Sequence, residues 1–352
     1  MASWDIEMPL LTTLRVDTTF SAHLQGTRPC WVAPRLNEVT LYLVDLQNDG
    51  STVPVYWPFK QSPHQLTELV WTPSTDKSFL DIGHTLTQLH YCSLEVARHA
   101  GADGLPRCTL QQLRHLDIYG PFRSVLTIMN RLTLPMLEDF AFDFVEQISP
   151  ITDHILSALG RLRQRSSYSL RFLSCPLAIL SLQNSSVHLD LARSINELRV
   201  VVSKEERHEE AISNLSHSRL FPGLELLHVA FRELPDETST LFSDIANMAE
   251  IRFTPEPSAS HSTSLKVVSI EMADYNHSTS GEISVQNEAF QHLLGLQNRG
   301  LLLLGHIVDG MWHSSWRDTH WNSGEMTLAE RRWHRFGRND RLYRREFEDF
   351  QR

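Results

Sequence analysis

A short apolar pattern recurs along most of this chain, and it constrains the fold more than any other feature. Three apolar residues stand at its first, fourth and sixth positions. The last two are two residues apart, so on a β-strand both side chains point to the same face. The mean spacing of the copies is about 28 residues, as in leucine-rich repeats. The copies are Leu11-x-x-Leu14-x-Val16, Leu36-x-x-Val39-x-Leu41, Leu66-x-x-Leu69-x-Trp71, Leu86-x-x-Leu89-x-Tyr91, Leu113-x-x-Leu116-x-Ile118, Leu137-x-x-Phe140-x-Phe142, Leu177-x-x-Leu180-x-Leu182, Ile195-x-x-Leu198-x-Val200, Leu224-x-x-Leu227-x-Val229 and Leu265-x-x-Val268-x-Ile270.

A repeating unit of this size predicts an elongated fold. Each unit has an apolar face that it cannot bury alone, so neighbouring units must stack. The pattern therefore predicts an α/β fold, an irregular leucine-rich-repeat solenoid with a curved parallel sheet on its concave side and helices and loops on its convex side. We assign residues 1–275 to the solenoid, 276–310 to the last repeat and C-terminal capping, and 311–352 to a Trp/Arg-rich helical tail. An ordinary α/β domain is the alternative.

The segments between the copies carry helix and turn signals. Ile151, Ile155, Leu159 and Leu162 share one helical face after Ser149-Pro150, and helices are also predicted at 204–215 and 240–249. The apolar run at 301–304 predicts a buried strand. Proline stands before several predicted strands, where it favours an extended backbone, as in Met8-Pro9, Ala33-Pro34, Leu134-Pro135, Cys175-Pro176 and Phe221-Pro222.

Composition and charge narrow the environment and the partners. Hydrophobic residues make up 41% of the 352 and charged residues 21%, which suits a folded protein. The net charge of -10 argues against nucleic acid as the partner. No segment approaches the ~20 apolar residues of a membrane span, and the N-terminus lacks a signal-peptide pattern. The four scattered cysteines fit buried free thiols. We therefore expect an intracellular protein, in cytoplasm or nucleus, without a membrane partner.

Motifs that mark enzymes, cofactor sites and metal sites fail on inspection. The chain has no G-x-S-x-G, no Walker-type loop and no G-x-G-x-x-G. The acidic segment that begins at Asp45 resembles a calcium loop, but Tyr56 stands where a bidentate glutamate is needed. The 18 histidines are dispersed along the chain. We therefore assign no catalytic residue, no cofactor and no metal ligand, and an enzyme is the least favoured class.

Several phrases of the sequence resemble a known family. They are Leu134-Pro135-Met136-Leu137-Glu138-Asp139-Phe140, the segment from Ile155 to Ser167, and Cys175-Pro176-Leu177-Ala178-Ile179-Leu180-Ser181-Leu182. Over residues 8–305 the chain resembles the repeat region of F-box/leucine-rich-repeat proteins of mushroom-forming fungi. The resemblance implies a non-enzymatic, substrate-recruiting module of a ubiquitin ligase, in which an F-box docks on the adaptor of a cullin-type ligase.

The sequence also departs from that family. The first repeat begins by Pro9 and leaves no room for an F-box, so we expect an adaptor contact only if an F-box lies upstream. The regular asparagine that follows each strand is absent, which predicts irregular turns held by packing and variable hydrogen bonds. A stand-alone repeat scaffold unconnected to ubiquitination is therefore the alternative function.

A partner protein is expected on the concave face of the predicted sheet. Residues between the apolar positions of each strand point away from the core. Their mixture of Tyr, Arg, His and acidic side chains suits the recognition of a protein or peptide. The predicted binding residues are Arg15, Asp17, Tyr42, His90, Asp117, Tyr119, Asp143, Arg199, His228 and Glu271.

The segment 311–352 differs in composition from the rest. It holds Trp312, Trp316, Trp321 and Trp333 together with many arginines. A capping box at Thr327-Leu328-Ala329-Glu330 predicts short helices at 327–336 and 340–350. The favoured interpretation is a cap over the last repeat. A contact surface for RNA or for a protein is the alternative.

Overall fold

A computed structural model gives the fold of most of the chain. It describes residues 5–20, 30–45, 59, 64–98, 105–144, 152–181, 192–203, 208–216, 220–231, 240–253, 265–272 and 288–307. The chain divides into two compact units, Met1–His306 and Ile307–Arg352. All elements below lie in the first unit, apart from Ile307 at the end of the last strand.

Strands and helices alternate along the first unit. The strands are β1 Asp5–Glu7, β2 Thr13–Phe20, β3 Cys30–Val32, β4 Glu38–Asp45, β5 Glu68–Thr75, β6 Tyr91–Arg98, β7 Cys108–Thr109, β8 His115–Gly120, β9 Leu132–Thr133, β10 Asp139–Phe144, β11 Phe172–Pro176, β12 Glu197–Val202, β13 Leu226–Phe231, β14 Val267–Met272 and β15 Leu302–Ile307. The helices are α1 Asp76–Gly83, α2 Phe122–Arg131, α3 Thr152–Ser166, α4 His208–Ser216, α5 Leu241–Phe253 and α6 Glu288–Asn298, with a 3-10 helix at Leu177–Ser181.

The main sheet follows the order of the chain. It has 11 strands, and its spatial order is β2-β4-β5-β6-β8-β10-β11-β12-β13-β14-β15. Every neighbouring pair from β2 to β14 is parallel. The pairs β1–β3 and β7–β9 form two small separate sheets. The α/β class and the parallel sheet predicted from the sequence are confirmed.

One apolar row runs across ten strands of the main sheet. Its members pair through consecutive strand registers, and apart from Leu14 they are buried. A second apolar residue follows two positions later on each of these strands. The first row consists of Leu14, Val39, Leu69, Cys92, Leu116, Phe140, Leu173, Leu198, Leu227 and Val268.

Two of the ten predicted copies were placed wrongly. In the fourth copy, strand β6 begins at Tyr91 and places Cys92, not Leu89, in the apolar row. The pattern there is therefore shifted by three residues. The copy that begins at Leu177 falls on the 3-10 helix, whereas the strand beside it is Phe172–Pro176. In both places the sequence contains a second possible placement of the apolar pattern. The structure adopts the placement that keeps the apolar row continuous from strand to strand.

Backbone hydrogen bonds give several strands of the main sheet the same beginning. The N–H of the first apolar residue donates to the carbonyl three residues earlier, for example Leu36 to Ala33 and Leu137 to Leu134. In these two turns Pro34 and Pro135 occupy the second position, where their restricted φ is favourable. These turns precede the strands, so the expectation of variable hydrogen bonds in the turns that follow them stays a prediction.

A second backbone pattern links each unit to the next. The carbonyl of Arg114 accepts hydrogen bonds from the N–H groups of both Glu138 and Asp139 in the following unit. The same two-donor arrangement recurs at the carbonyls of Thr12, Asn37, Thr67, His90, Glu138, Arg171, Asn196 and Glu225.

The helices cover the apolar side of the sheet. Phe122 of α2 contacts Phe144 of β10 edge to face, with ring centroids 5.4 Å apart. Side chains also join successive helical segments. Arg165 of α3 donates to the carbonyls of Met129 and Leu132 at the end of α2. These bonds satisfy carbonyls that a helix end leaves without an intrahelical donor.

A similar arrangement joins the next helices. Arg252 of α5 donates to the carbonyl oxygens of Leu215 in α4 and Phe221, at 2.7 and 3.0 Å. Its side chain is buried, and burial lowers the pKa of its guanidinium to about 10. Asn214 of α4 donates to the carbonyl of Leu180 in the 3-10 helix.

The structure confirms the predicted helices that it describes and the strand predicted at the apolar run 301–304. Helices lie at Thr152–Ser166, His208–Ser216 and Leu241–Phe253, and Leu302–Ile307 is a strand. Cys92, Cys108 and Cys175 are buried free thiols. Among the described helices, none combines the length and apolarity needed to cross a membrane. The helices predicted at 327–336 and 340–350 lie outside the described residues.

Candidate functional site

The side of the sheet that faces away from the apolar rows carries polar side chains, and we call it the strand face. Its central row pairs strand by strand and contains four of the predicted binding residues. The full row consists of Arg15, Thr40, Val70, Ser93, Asp117, Ala141, Ser174, Arg199, His228 and Ser269.

Five other predicted residues lie one row further along the strands. Tyr119 pairs with Asp143, and Asp17 pairs with Tyr42. Glu271 pairs with Ala230. The side chains of Asp17, Tyr42 and Glu271 lie outside the described part of the chain.

His90 is the predicted binding residue whose position must be corrected. It precedes β6 and does not belong to that strand, because the strand begins at Tyr91. Its backbone links neighbouring units, since its carbonyl accepts from the N–H groups of Arg114 and His115. The shifted repeat explains the error, and it means that Tyr91, assigned to the core, lies on the strand face.

The centre of the strand face holds two hydrogen-bonded pairs on three strands. The hydroxyl of Tyr91 donates to Oδ2 of Asp117 over 3.0 Å. Nδ1 of His115 donates to Oδ2 of Asp139. Tyr91, His115 and Asp139 also pair by register in one row, so the four side chains form a continuous polar group, the central cluster.

Burial gives Asp117 of the central cluster unusual acid–base behaviour. Removal of its carboxyl from water is the main cause that raises its pKa to about 7, and the nearby charge of Asp139 adds to this. The hydrogen bond from Tyr91 and the positive charges of His115 and Arg199 act in the opposite direction. The carboxyl therefore changes charge near neutral pH.

A second, more buried pair lies on β12 and β13. Nε2 of His228 lies 3.3 Å from Oε1 of Glu197, and each side chain is about one-tenth exposed. The outward positions of these strands are less accessible than those of β5, β6 and β8. The accessible outward side chains therefore lie in the N-terminal and central part of the strand face.

Sequence reasoning missed Tyr91, His115, Asp139 and Glu197. Three of them stand two or four residues before a predicted residue on the same strand, as His115 does before Asp117. Continuing the alternation to the first residue of each strand would have found them, because side chains two apart share a face.

The accessible part of the strand face is acidic. Described outward positions of β4, β5, β6, β8 and β10 contain no lysine or arginine, and we call this region the acidic section. No three His, Cys, Asp or Glu side chains among the described residues converge as a metal site would require. The carboxyl groups of the acidic section are those of Glu38, Glu68, Glu95, Asp117, Asp139 and Asp143.

Comparison with known proteins adds no relative. No protein-family model matches the chain, and neither the curated proteins nor the solved structures searched give a significant match.

Proposed function

We propose that the main sheet is the strand layer of an irregular leucine-rich-repeat solenoid and that its strand face binds another protein. The observation that carries this proposal is the continuous central row, which has one outward-pointing side chain per unit across ten strands. Its members from Arg15 to Asp117 are exposed or half-buried, whereas Ala141, Ser174, His228 and Ser269 are buried. A row of this kind suits an extended macromolecular surface, because repeat proteins use such faces for binding.

The strand order also favours recognition over catalysis on a small molecule. In open α/β sheets, small ligands bind where the strand order reverses. The described strands of the main sheet follow the chain in one direction without such a reversal. Tyr119 on this face is 37% exposed, and aromatic side chains of this kind are common in protein interfaces.

A narrower proposal is that the chain recruits substrates as part of an F-box-type ubiquitin ligase. Its support is the resemblance of residues 8–305 to the repeat region of that family. The competing proposal is a stand-alone interaction protein. Affinity purification of the full-length gene product from its native host separates the two: enrichment of the cullin adaptor supports the ligase role, and its absence contradicts that role alone.

A photo-cross-linking residue tests the binding face directly. Benzoylphenylalanine replaces Tyr119 on the strand face or, as the control, Ile251 on α5, which is 55% exposed. We expect reproducible cross-links to a partner protein in host extract from position 119 and none from position 251. Cross-links from position 251 alone, or from neither position, contradict the proposal.

A further inference from the structure

We infer that two copies of this chain associate through β2, the first strand of the main sheet, which pairs antiparallel with β2 of the second copy. The inference goes beyond the proposed function, because it concerns the N-terminal end of the sheet and not its strand face. Its starting point is a difference in burial between the first repeat and the second.

Three apolar positions of the first repeat are less buried than the same positions of the second. Leu11, Leu14 and Val16 are half-buried. Their equivalents in the second repeat are all buried, and they are Leu36, Val39 and Leu41. The neighbouring Leu10 is 76% exposed. The second repeat has a described strand on each side, whereas the first has one on one side alone.

The opposite end of the main sheet does not show this exposure. Leu301 precedes β15, the last strand of the sheet, and Leu303 lies within it. Both are buried. An end position therefore does not by itself leave apolar side chains accessible in this fold. The N-terminal end carries apolar surface of the kind that one repeat covers on the next.

The backbone of β2 has the features of a strand that accepts a further strand. It runs over eight residues, Thr13–Phe20, and contains no proline. Its register with β4 continues without a bulge. Proline, bulges and short length commonly protect edge strands from pairing with another chain. β2 has none of these protections, and it lies at the edge of the sheet among the described strands.

The charges of β2 favour a second copy as the added strand. A twofold axis pairs two identical edge strands antiparallel, and residues that stand opposite each other must share a face. The register centred on Val16 places Arg15 opposite Asp17 of the second copy, and it does so twice. The same-face registers centred on Arg15 or on Asp17 place like charges opposite each other. Opposite charges in cross-strand pairs stabilise a sheet and like charges destabilise it, which selects the first register.

The same register brings apolar side chains together. Val16 stands opposite Val16 of the second copy, and Leu14 lies two positions away on the same face. Because the axis is perpendicular to the sheet, the apolar rows of the two copies lie on the same side and continue each other. One contact therefore covers the half-buried side chains and gives the outer backbone groups of β2 their hydrogen-bond partners.

A cysteine on the twofold axis tests the pairing directly. Val16→Cys places two thiols opposite each other, within the range that a disulfide spans. Thr13→Cys is the control, because its two copies would lie roughly 20 Å apart along the strands. We expect a covalent dimer from Val16→Cys under mild oxidation, and none from Thr13→Cys or the parent chain. No bridge at position 16, or an equal bridge at position 13, contradicts the inference.

Exchange of the two charges tests the register. Arg15→Asp should place like charges opposite each other, and Arg15→Asp combined with Asp17→Arg should restore opposite charges. Sedimentation of the full chain from about 1 to about 100 μM measures the dissociation constant of the dimer. We expect the single variant to weaken the dimer about tenfold or more, and the double variant to return to within about threefold of the parent chain.

A variant at a distant apolar side chain is the control for this measurement. Ile251→Lys changes a side chain of α5 that is 55% exposed, and it should leave the dissociation constant unchanged. Circular dichroism verifies that each variant is folded. A monomer at every concentration, an equal loss from Ile251→Lys, or a double variant as weak as the single one would overturn the inference. A monomer would leave protein binding at the strand face standing, since cross-linking from position 119 tests it separately.

Discussion

Replacing Asp117 with asparagine should change how stability depends on pH. The native carboxyl keeps its proton up to a pKa of about 7, whereas the ordinary value is 3.8. Between these values the native state binds more protons than the unfolded state, so stability falls as pH rises. Asparagine cannot ionise, and its amide oxygen can still accept the hydrogen bond from Tyr91.

The size of the effect follows from the shift. A difference of about three pKa units corresponds to about 4 kcal/mol between pH 4 and pH 8. Because side chains of a partly accessible face relax when they ionise, we expect about half of this, about 2 kcal/mol. The variant should therefore gain about 2 kcal/mol relative to the parent chain as pH rises from 4 to 8.

Urea unfolding followed by circular dichroism at several pH values measures this difference. All other titrating groups are common to the two proteins, so the difference isolates Asp117. Asp143→Asn, on the same face, controls for the general loss of a carboxylate. The reasoning is refuted if the stability of the variant runs parallel to that of the parent chain or falls further as pH rises. Either result would show that the half-buried Asp117 carboxyl does not keep its proton up to neutral pH.

Three further predictions test the packing of the fold. Arg252→Met should lower the free energy of unfolding by about 3 kcal/mol, because the buried carbonyls of Leu215 and Phe221 lose a charged donor. A urea midpoint within error of the parent chain would contradict this. Gly120→Ala should destabilise by about 3 kcal/mol, since Gly120 has φ +149 and a Cβ there would clash with the backbone oxygen of Val96. Gly295→Ala in α6, where a Cβ meets open space, should be neutral or stabilising, and thermal unfolding measures both changes. Burial raises the pKa of the Cys92 thiol and raises that of Cys108 to about 12. At pH 8 these two thiols of the native protein should therefore react with a thiol reagent more than about a hundredfold more slowly than those of the unfolded protein. Peptide mass analysis after labelling measures the two rates.

The sequence predicts the strand rows well because burial selects apolar residues at fixed intervals. The repeated pattern predicts that Leu14, Leu116 and Leu227 occupy equivalent positions of their strands. The strand registers place all three in one row. The exceptions have a physical reason. Cys92 is a small apolar residue that the leucine pattern overlooks, and Leu177 continues an apolar run into a 3-10 helix.

The candidate site was predicted less completely. Alternation identified Asp117, Arg199 and His228 on the strand face, but it could not show which side chains touch. The hydrogen bond between Tyr91 and Asp117 spans two units that are 26 residues apart. Such a contact depends on the register between strands, and the sequence predicted that register wrongly at Tyr91.

Disulfide trapping tests the stacking of the units most directly. Register partners on adjacent parallel strands lie about 5 Å apart, within the range that a disulfide spans. Cysteines at Arg15 and Thr40, or at Val201 and Ala230, should therefore cross-link under mild oxidation. Cysteines at Arg15 and Val70, two strands apart, should not. Mass analysis of the digested protein detects the disulfides. We expect both adjacent pairs to be bridged and the separated pair to stay reduced, as one continuous stack requires. A bridge in the separated pair together with none in the adjacent pairs would contradict the account.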